Sequence, residues 1–96
     1  MILYRAMCEK EFLDTLRYGA FSWNSRFKWF GTRDFVESRV MDGKFNNCRF
    51  VSGRYDHLLA FDFSDESMGL FEKCGNREFM LDRRKAHRVR FSIVRT

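Results

Sequence analysis

Gly75-Asn76-Arg77-Glu78-Phe79-Met80-Leu81-Asp82-Arg83-Arg84-Lys85-Ala86-His87-Arg88-Val89-Arg90-Phe91-Ser92-Ile93-Val94 sets two short apolar segments on either side of a polar, basic turn. The pattern predicts a β-hairpin, or two strands joined by a short loop. Glu78 opens the first strand, beside Phe79 and Met80. A carboxylate there can stand at the mouth of a cleft with its charge partly desolvated. The plainer reading is a surface Glu opening an edge strand, because charged side chains are mostly exposed. In the second strand, Arg88 to Val94, alternation turns Val89, Phe91 and Ile93 inward and Arg88 and Arg90 outward.

Upstream, Tyr55 to Phe63 is the clearest strand. Leu59, Phe61 and Phe63 share one face, and Leu58 and Ala60 make the other face apolar too. That double pattern predicts a central strand covered on both sides. Ser64-Asp65-Glu66-Ser67 starts a short helical turn expected to run to about Lys73, and Gly75-Asn76 then turns the chain into the Glu78 strand.

At the other end, Ile2-Leu3-Tyr4-Arg5-Ala6 predicts an opening strand. Arg5 is costly to bury there without a partner, so it is expected to reach a carboxylate, a phosphate or solvent. Glu9 to Tyr18 predicts a helix with Phe12, Leu13 and Leu16 on its core face and Gly19 as its stop. Ala20 to Ser25 reads as an irregular or extended connection. Phe27-Lys28-Trp29-Phe30 predicts a second strand, broken by Gly31-Thr32. Thr32 is placed to cap a helix over about Asp34 to Met41, with Phe35, Val36 and Val40 inward and Arg33, Glu37 and Arg39 outward, ended by Gly43. Lys44 to Arg54 carries turn formers, Asn46-Asn47 and Ser52-Gly53, around Arg49-Phe50-Val51. The expected architecture is a small α+β domain: a curved, mainly antiparallel sheet with two to three short helices packed against it.

The chain's 96 residues predict one domain, 1–96, with one modest core. It holds 45% hydrophobic residues, twelve Phe, no Pro and no low-complexity run, which is the composition of a folded protein. No apolar run approaches a membrane span and no signal segment is evident, so a cytoplasmic location without membrane contact is expected. Cys8, Cys48 and Cys74 are odd in number and widely spaced, which predicts reduced thiols and no metal site. The net charge of +5 is concentrated near the C-terminus. Arg83, Arg84, Lys85, Arg88 and Arg90 there suit a polyanion, or equally a solvated strand edge kept soluble by charge.

Three separated pieces, in order, resemble the ADP-ribosyltransferase fold. Leu3-Tyr4-Arg5 looks like that family's first motif, an Arg, often after Tyr, at the end of the opening strand. Trp29-Phe30-Gly31-Thr32 sits where the family carries an aromatic or apolar residue followed by Ser-Thr-Ser. Glu78-Phe79-Met80-Leu81 with Arg83, then Arg88-Val89, is similar to the last motif: a catalytic Glu entering a strand, a basic turn and a final strand. The resemblance spans most of the chain and rests on the order and spacing of the pieces. Gly31 and Arg33 stand where the family has its outer two Ser residues. Asn76 stands where arginine-modifying members carry a second Glu.

The resemblance implies a minimal NAD-dependent mono-ADP-ribosyltransferase of the kind used by phages or in bacterial conflict, acting on a macromolecular acceptor. Glu78 would hydrogen-bond the ribose and stabilise the cation-like transition state. Thr32 would orient Glu78 or the ribose, and Arg5, with Tyr4 beside it, would clamp the pyrophosphate. Trp29, Phe30 or Tyr55 would stack on a ring of NAD. No metal is required. The competing reading is a non-catalytic binding or inhibitor module whose basic C-terminal face contacts nucleic acid or an acidic protein surface.

Overall fold

The computed structural model describes residues 1–19, 21, 26–47, 53–85 and 90–96. The fold is α+β: a six-stranded, open antiparallel sheet with a few short helices. The strands are β1 (Ile2–Met7), β2 (Phe27–Gly31), β3 (His57–Asp62), β4 (Phe71–Lys73), β5 (Glu78–Asp82) and β6 (Phe91–Arg95). Across the sheet they run β4-β5-β2-β1-β3-β6.

This order corrects two expectations about the C-terminal stretch. β5 and β6 do not form a hairpin. β5 pairs with β2 and β4, whereas β6 pairs with β3 on the far side. β5 is therefore interior, and Glu78 does not open an edge strand. The edge strands are β4 and β6, and on β6 Ile93 is 47% exposed where alternation placed it inward. A bulge opposite Leu58 and Leu59 inserts Val94, and Val94 packs against the core in its place.

β3 is covered on both faces as expected. Leu59 and Phe61 join Leu3, Met7, Phe30, Leu81 and Phe12 in one buried cluster. Leu58 joins Ala6, Val36 and Met41 in a second cluster. Two layers therefore sandwich the sheet: α1 (Glu9–Tyr18) on the first face and the 33–47 segment on the second.

α1 ends on Gly19, whose φ of 61° lets its amide donate to the Thr15 carbonyl. Its buried side is not the one expected. Glu11, Phe12 and Thr15 are buried, and Leu13 and Leu16 are 52% and 44% exposed. The helix is turned so that Glu11 can meet two cations rising from the sheet.

The second helical segment is α-helical only over Arg33–Phe35 and continues as a π-helical turn over Val36–Met41, closed by Asp42 N–H to the Glu37 carbonyl at 2.8 Å. A 3₁₀ turn, Lys44–Asn47, follows. After β3, a short helix (Asp65–Met68) is capped by the Ser64 hydroxyl, which accepts from the Ser67 amide. It stops at Met68 instead of reaching Lys73. Phe71 joins β4 and packs edge-on against Phe63, with ring centroids 4.7 Å apart. Apart from Phe21, the expected connection at 20–25 lies outside the described residues, as do Arg49-Phe50-Val51 and Arg88-Val89 of the last motif. Among the described residues no helix is long and apolar enough to cross a membrane.

Candidate functional site

The site begins with a fault in the sheet. β1 and β2 are neighbours, yet Tyr4↔Gly31 is the single register pair between them among the described residues. Beyond that pair, Arg5 to Met7 and Phe27 to Phe30 diverge. On its other side Gly31 is paired with Glu78. Tyr4, Gly31 and Glu78 thus stand in line on three adjacent strands, each step being about 5 Å. Each of the three sequence pieces that carry the resemblance contributes one residue to this line.

Gly31 fits because nothing larger does. A Cβ there would lie 2.8 Å from the Arg77 carbonyl oxygen and 3.1 Å from side-chain carbons of Phe35 and Val36. The helical segment can sit close on the second face only because this position has no side chain.

Arg5 spans the fault. Its Nε and Nη2 donate to the two Glu11 carboxylate oxygens at 2.9 and 2.8 Å, and its Nη1 donates to the Trp29 carbonyl at 2.9 Å. That carbonyl belongs to the diverging part of β2, where a β1 amide would otherwise meet it. Lys28, fully buried, approaches the same carboxylate, with Nζ 3.7 Å from Glu11 Oε2. Burial holds the Lys28 ammonium down to a pKa of about 8, against the pull of Glu11. Of the three partners expected for Arg5, a carboxylate is the one present, and most of the guanidinium's donors are engaged within the protein.

Where β1 and β2 part, a cavity of about 530 Å³ opens, a size typical of small-molecule sites. Arg5 and Ala6 of β1 line it, with Phe27, Trp29 and Phe30 of β2. Glu78 contributes from β5, and Phe35, Val36, Arg39 and Val40 from the helical segment. Phe45 and Tyr55 complete the wall. They are held by Asn46, whose amide nitrogen donates to the Met41 carbonyl at 2.5 Å while its oxygen accepts from the Tyr55 amide at 2.6 Å.

Among the sequence-predicted site residues, Arg5, Trp29, Phe30 and Glu78 share this cavity, and Tyr4 and Thr32 do not line it. Thr32 is next to Glu78 through the backbone: its amide donates to the Arg77 carbonyl at 3.2 Å. Its hydroxyl oxygen is buried without a well-formed hydrogen bond. That hydroxyl still lies close enough to Asp34 to be the main cause holding the Asp34 carboxyl below its ordinary pKa, with the Phe35 amide and Arg77 helping. Glu78 is half-buried; its backbone carbonyl accepts from the Cys74 amide at 3.0 Å, and its carboxylate makes no hydrogen bond or ion pair with the described residues.

In the basic cluster, Asp82 takes hydrogen bonds from Arg84 and Arg26, at 3.1 and 3.0 Å, so part of that charge is neutralised locally. Arg84, Lys85 and Arg90 are exposed.

Glu11, Lys28 and Arg39 were not singled out from the sequence. Glu11 had a usable signal: Arg5 in an apolar strand demands an anion, and Glu11 lies on the same helix face as Phe12 and Thr15. No protein-family model, no curated protein and no solved structure matches this chain.

Proposed function

We propose that this chain is a minimal ADP-ribosyltransferase-like protein that takes NAD into the cavity between β1 and β2. The observation that carries the reading is the line Tyr4–Gly31–Glu78 across three adjacent strands, with an aromatic-walled cavity beside it. The residues present suit the ligand. Trp29, Tyr55 and Phe45 offer ring faces, and the unpaired Glu78 carboxylate offers an acceptor for a sugar hydroxyl.

NAD supplies a ribose–nicotinamide bond whose electron pair departs with nicotinamide, leaving the ribose carbon to be taken by an acceptor nucleophile that gives up its proton. Glu78 stabilises the positive charge that develops on the ribose as this bond weakens. A carboxylate in a partly desolvated cavity acts more strongly on that charge than one in bulk water. Arg5 acts chiefly as the brace that keeps β1 and β2 apart, because Glu11 and the Trp29 carbonyl occupy its fork. Transfer to a macromolecular acceptor, in phage–host or bacterial conflict, is the setting that the resemblance suggests.

The test is a titration with NAD, following thermal stability and release of nicotinamide, on the wild type and Glu78→Gln. Binding should raise the melting temperature by mass action. Glu78→Gln should retain that rise and lose nicotinamide release by about 10²–10³-fold. No stabilisation at millimolar NAD sinks the reading. The engagement of Arg5 by Glu11 favours one second reading, a site that binds NAD without turning it over. Stabilisation of the wild type with no nicotinamide released identifies that case.

A further inference from the structure

Three charged side chains line the cavity: Arg5, Glu78 and Arg39. Arg5 is spent on Glu11 and Trp29. Glu78 is an anion. Arg39 differs from both. It is exposed, and the structure gives its guanidinium no hydrogen bond or ion pair among the described residues.

The acids that flank it in sequence are engaged elsewhere. Glu37 is paired with Arg33 at 2.7 Å and with Arg95 at 3.7 Å. Asp34 is paired with Arg77 at 3.3 Å, and Asp42 with Arg95 at 3.2 Å. Arg39 is thus a planar, permanently charged fork at the wall of an aromatic cavity, with its donors available.

Arg39 lies within the π-helical turn Val36–Met41 and stands on the cavity wall with Val36, three residues before it, and Val40, the next residue. Such turns are rare and concentrate at functional sites.

We propose that Arg39 is the residue that grips the phosphates of the ligand, the role that the sequence resemblance assigned to Arg5. This rests on the NAD reading and deepens it. The cavity then divides its work. Arg39 holds the phosphates, the aromatic walls hold a ring, and Glu78 meets the ribose.

The experiment compares NAD with nicotinamide riboside, which carries the same ring and ribose but no pyrophosphate. Affinities are measured by calorimetry for the wild type, Arg39→Ala, Arg39→Lys and Lys10→Ala, the last removing an exposed charge distant from the cavity lining. Loss of a charge-assisted phosphate contact should weaken NAD by at least about tenfold in Arg39→Ala. Nicotinamide riboside should be held equally by the wild type and Arg39→Ala. Arg39→Lys should fall between the two, because an ammonium keeps the charge and loses the fork. Lys10→Ala should match the wild type for both ligands. Arg39 is exposed, so all variants should melt like the wild type without ligand.

Wild-type NAD affinity in Arg39→Ala overturns the assignment and leaves the NAD reading standing. Equal losses for both ligands in Arg39→Ala also overturn it, since Arg39 would then shape the cavity and not hold phosphate. A wild type that binds neither ligand removes the NAD reading and this assignment together.

Discussion

Glu11 accepts hydrogen bonds from Arg5 at 2.9 and 2.8 Å, on a helix side that also buries Phe12 and Thr15. Lys28 closes on the same carboxylate from β2. Two cations, Lys28 fully buried and Arg5 mostly so, thus depend on one buried anion. Glu11→Ala should cost about 3–5 kcal/mol, because it leaves both charges uncompensated. Glu11→Gln should cost less, since its oxygen still accepts from Arg5. Urea denaturation of both variants checks this; an Ala variant as stable as the wild type would show that the triad contributes nothing.

The opposite side of the same helix should tolerate change. Leu13 and Leu16 are half-exposed. Leu13→Lys and Leu16→Lys should each shift stability by no more than about 0.5 kcal/mol. A loss several times larger in the same assay would mean that the helix presents the other face to the sheet.

Gly31 should not accept even the smallest side chain. In Gly31→Ala and Gly31→Ser the new Cβ meets a backbone oxygen, which can yield only by moving β5 or the helical segment. A cost of about 1–3 kcal/mol is expected. Thermal denaturation reads it directly, and an unchanged melting temperature would contradict the close approach.

Lys28 should give the protein a distinctive alkaline response. Its pKa is about 8 in the folded state and 10.5 ordinarily. Between those values the unfolded chain binds a proton that the folded chain does not. Unfolding therefore becomes harder as pH rises through that window, and the burial cost is fully present below it. Lys28→Met removes this dependence. Its stability relative to the wild type should fall by roughly 2–3 kcal/mol between about pH 7 and about pH 10. Parallel pH profiles for the two proteins would rule out the buried ammonium as its source.

The parts of the fold that could be read from sequence are those where one residue type has one good solution. The doubly apolar run at Leu58 to Phe63 fits only a strand covered on both faces. Gly19 fits the end of a helix. Arg5 in an apolar strand needs an anion. The parts that could not be read depend on partners distant in sequence. Nothing in Glu78 to Val94 says that β5 and β6 lie at different ends of the sheet, because local alternation is the same for a hairpin and for a crossover. Leu13 and Leu16 have the spacing of a core face, and only the cations of β1 and β2 turn the helix the other way. The bulge that brings Val94 inward and leaves Ile93 exposed has no local mark. For the site, Arg5, Trp29, Phe30 and Glu78 were legible as a set. Arg39 was not, because a charged residue at the margin of a helix's apolar face carries no local sign of the cavity beside it.

The single pair Tyr4↔Gly31 divides the sheet into two leaves, β4-β5-β2 and β1-β3-β6, creased along one rung. Within each leaf the ladders are longer, with β1 and β3 matched at six positions and β2 and β5 at five. A molecule seated in the crease touches both leaves at once, so it acts as a wedge with leverage over the angle between them. Slower amide hydrogen exchange on ligand binding should then concentrate along the crease, at Arg5, Ala6 and Trp29, and leave the β1–β3 ladder unchanged.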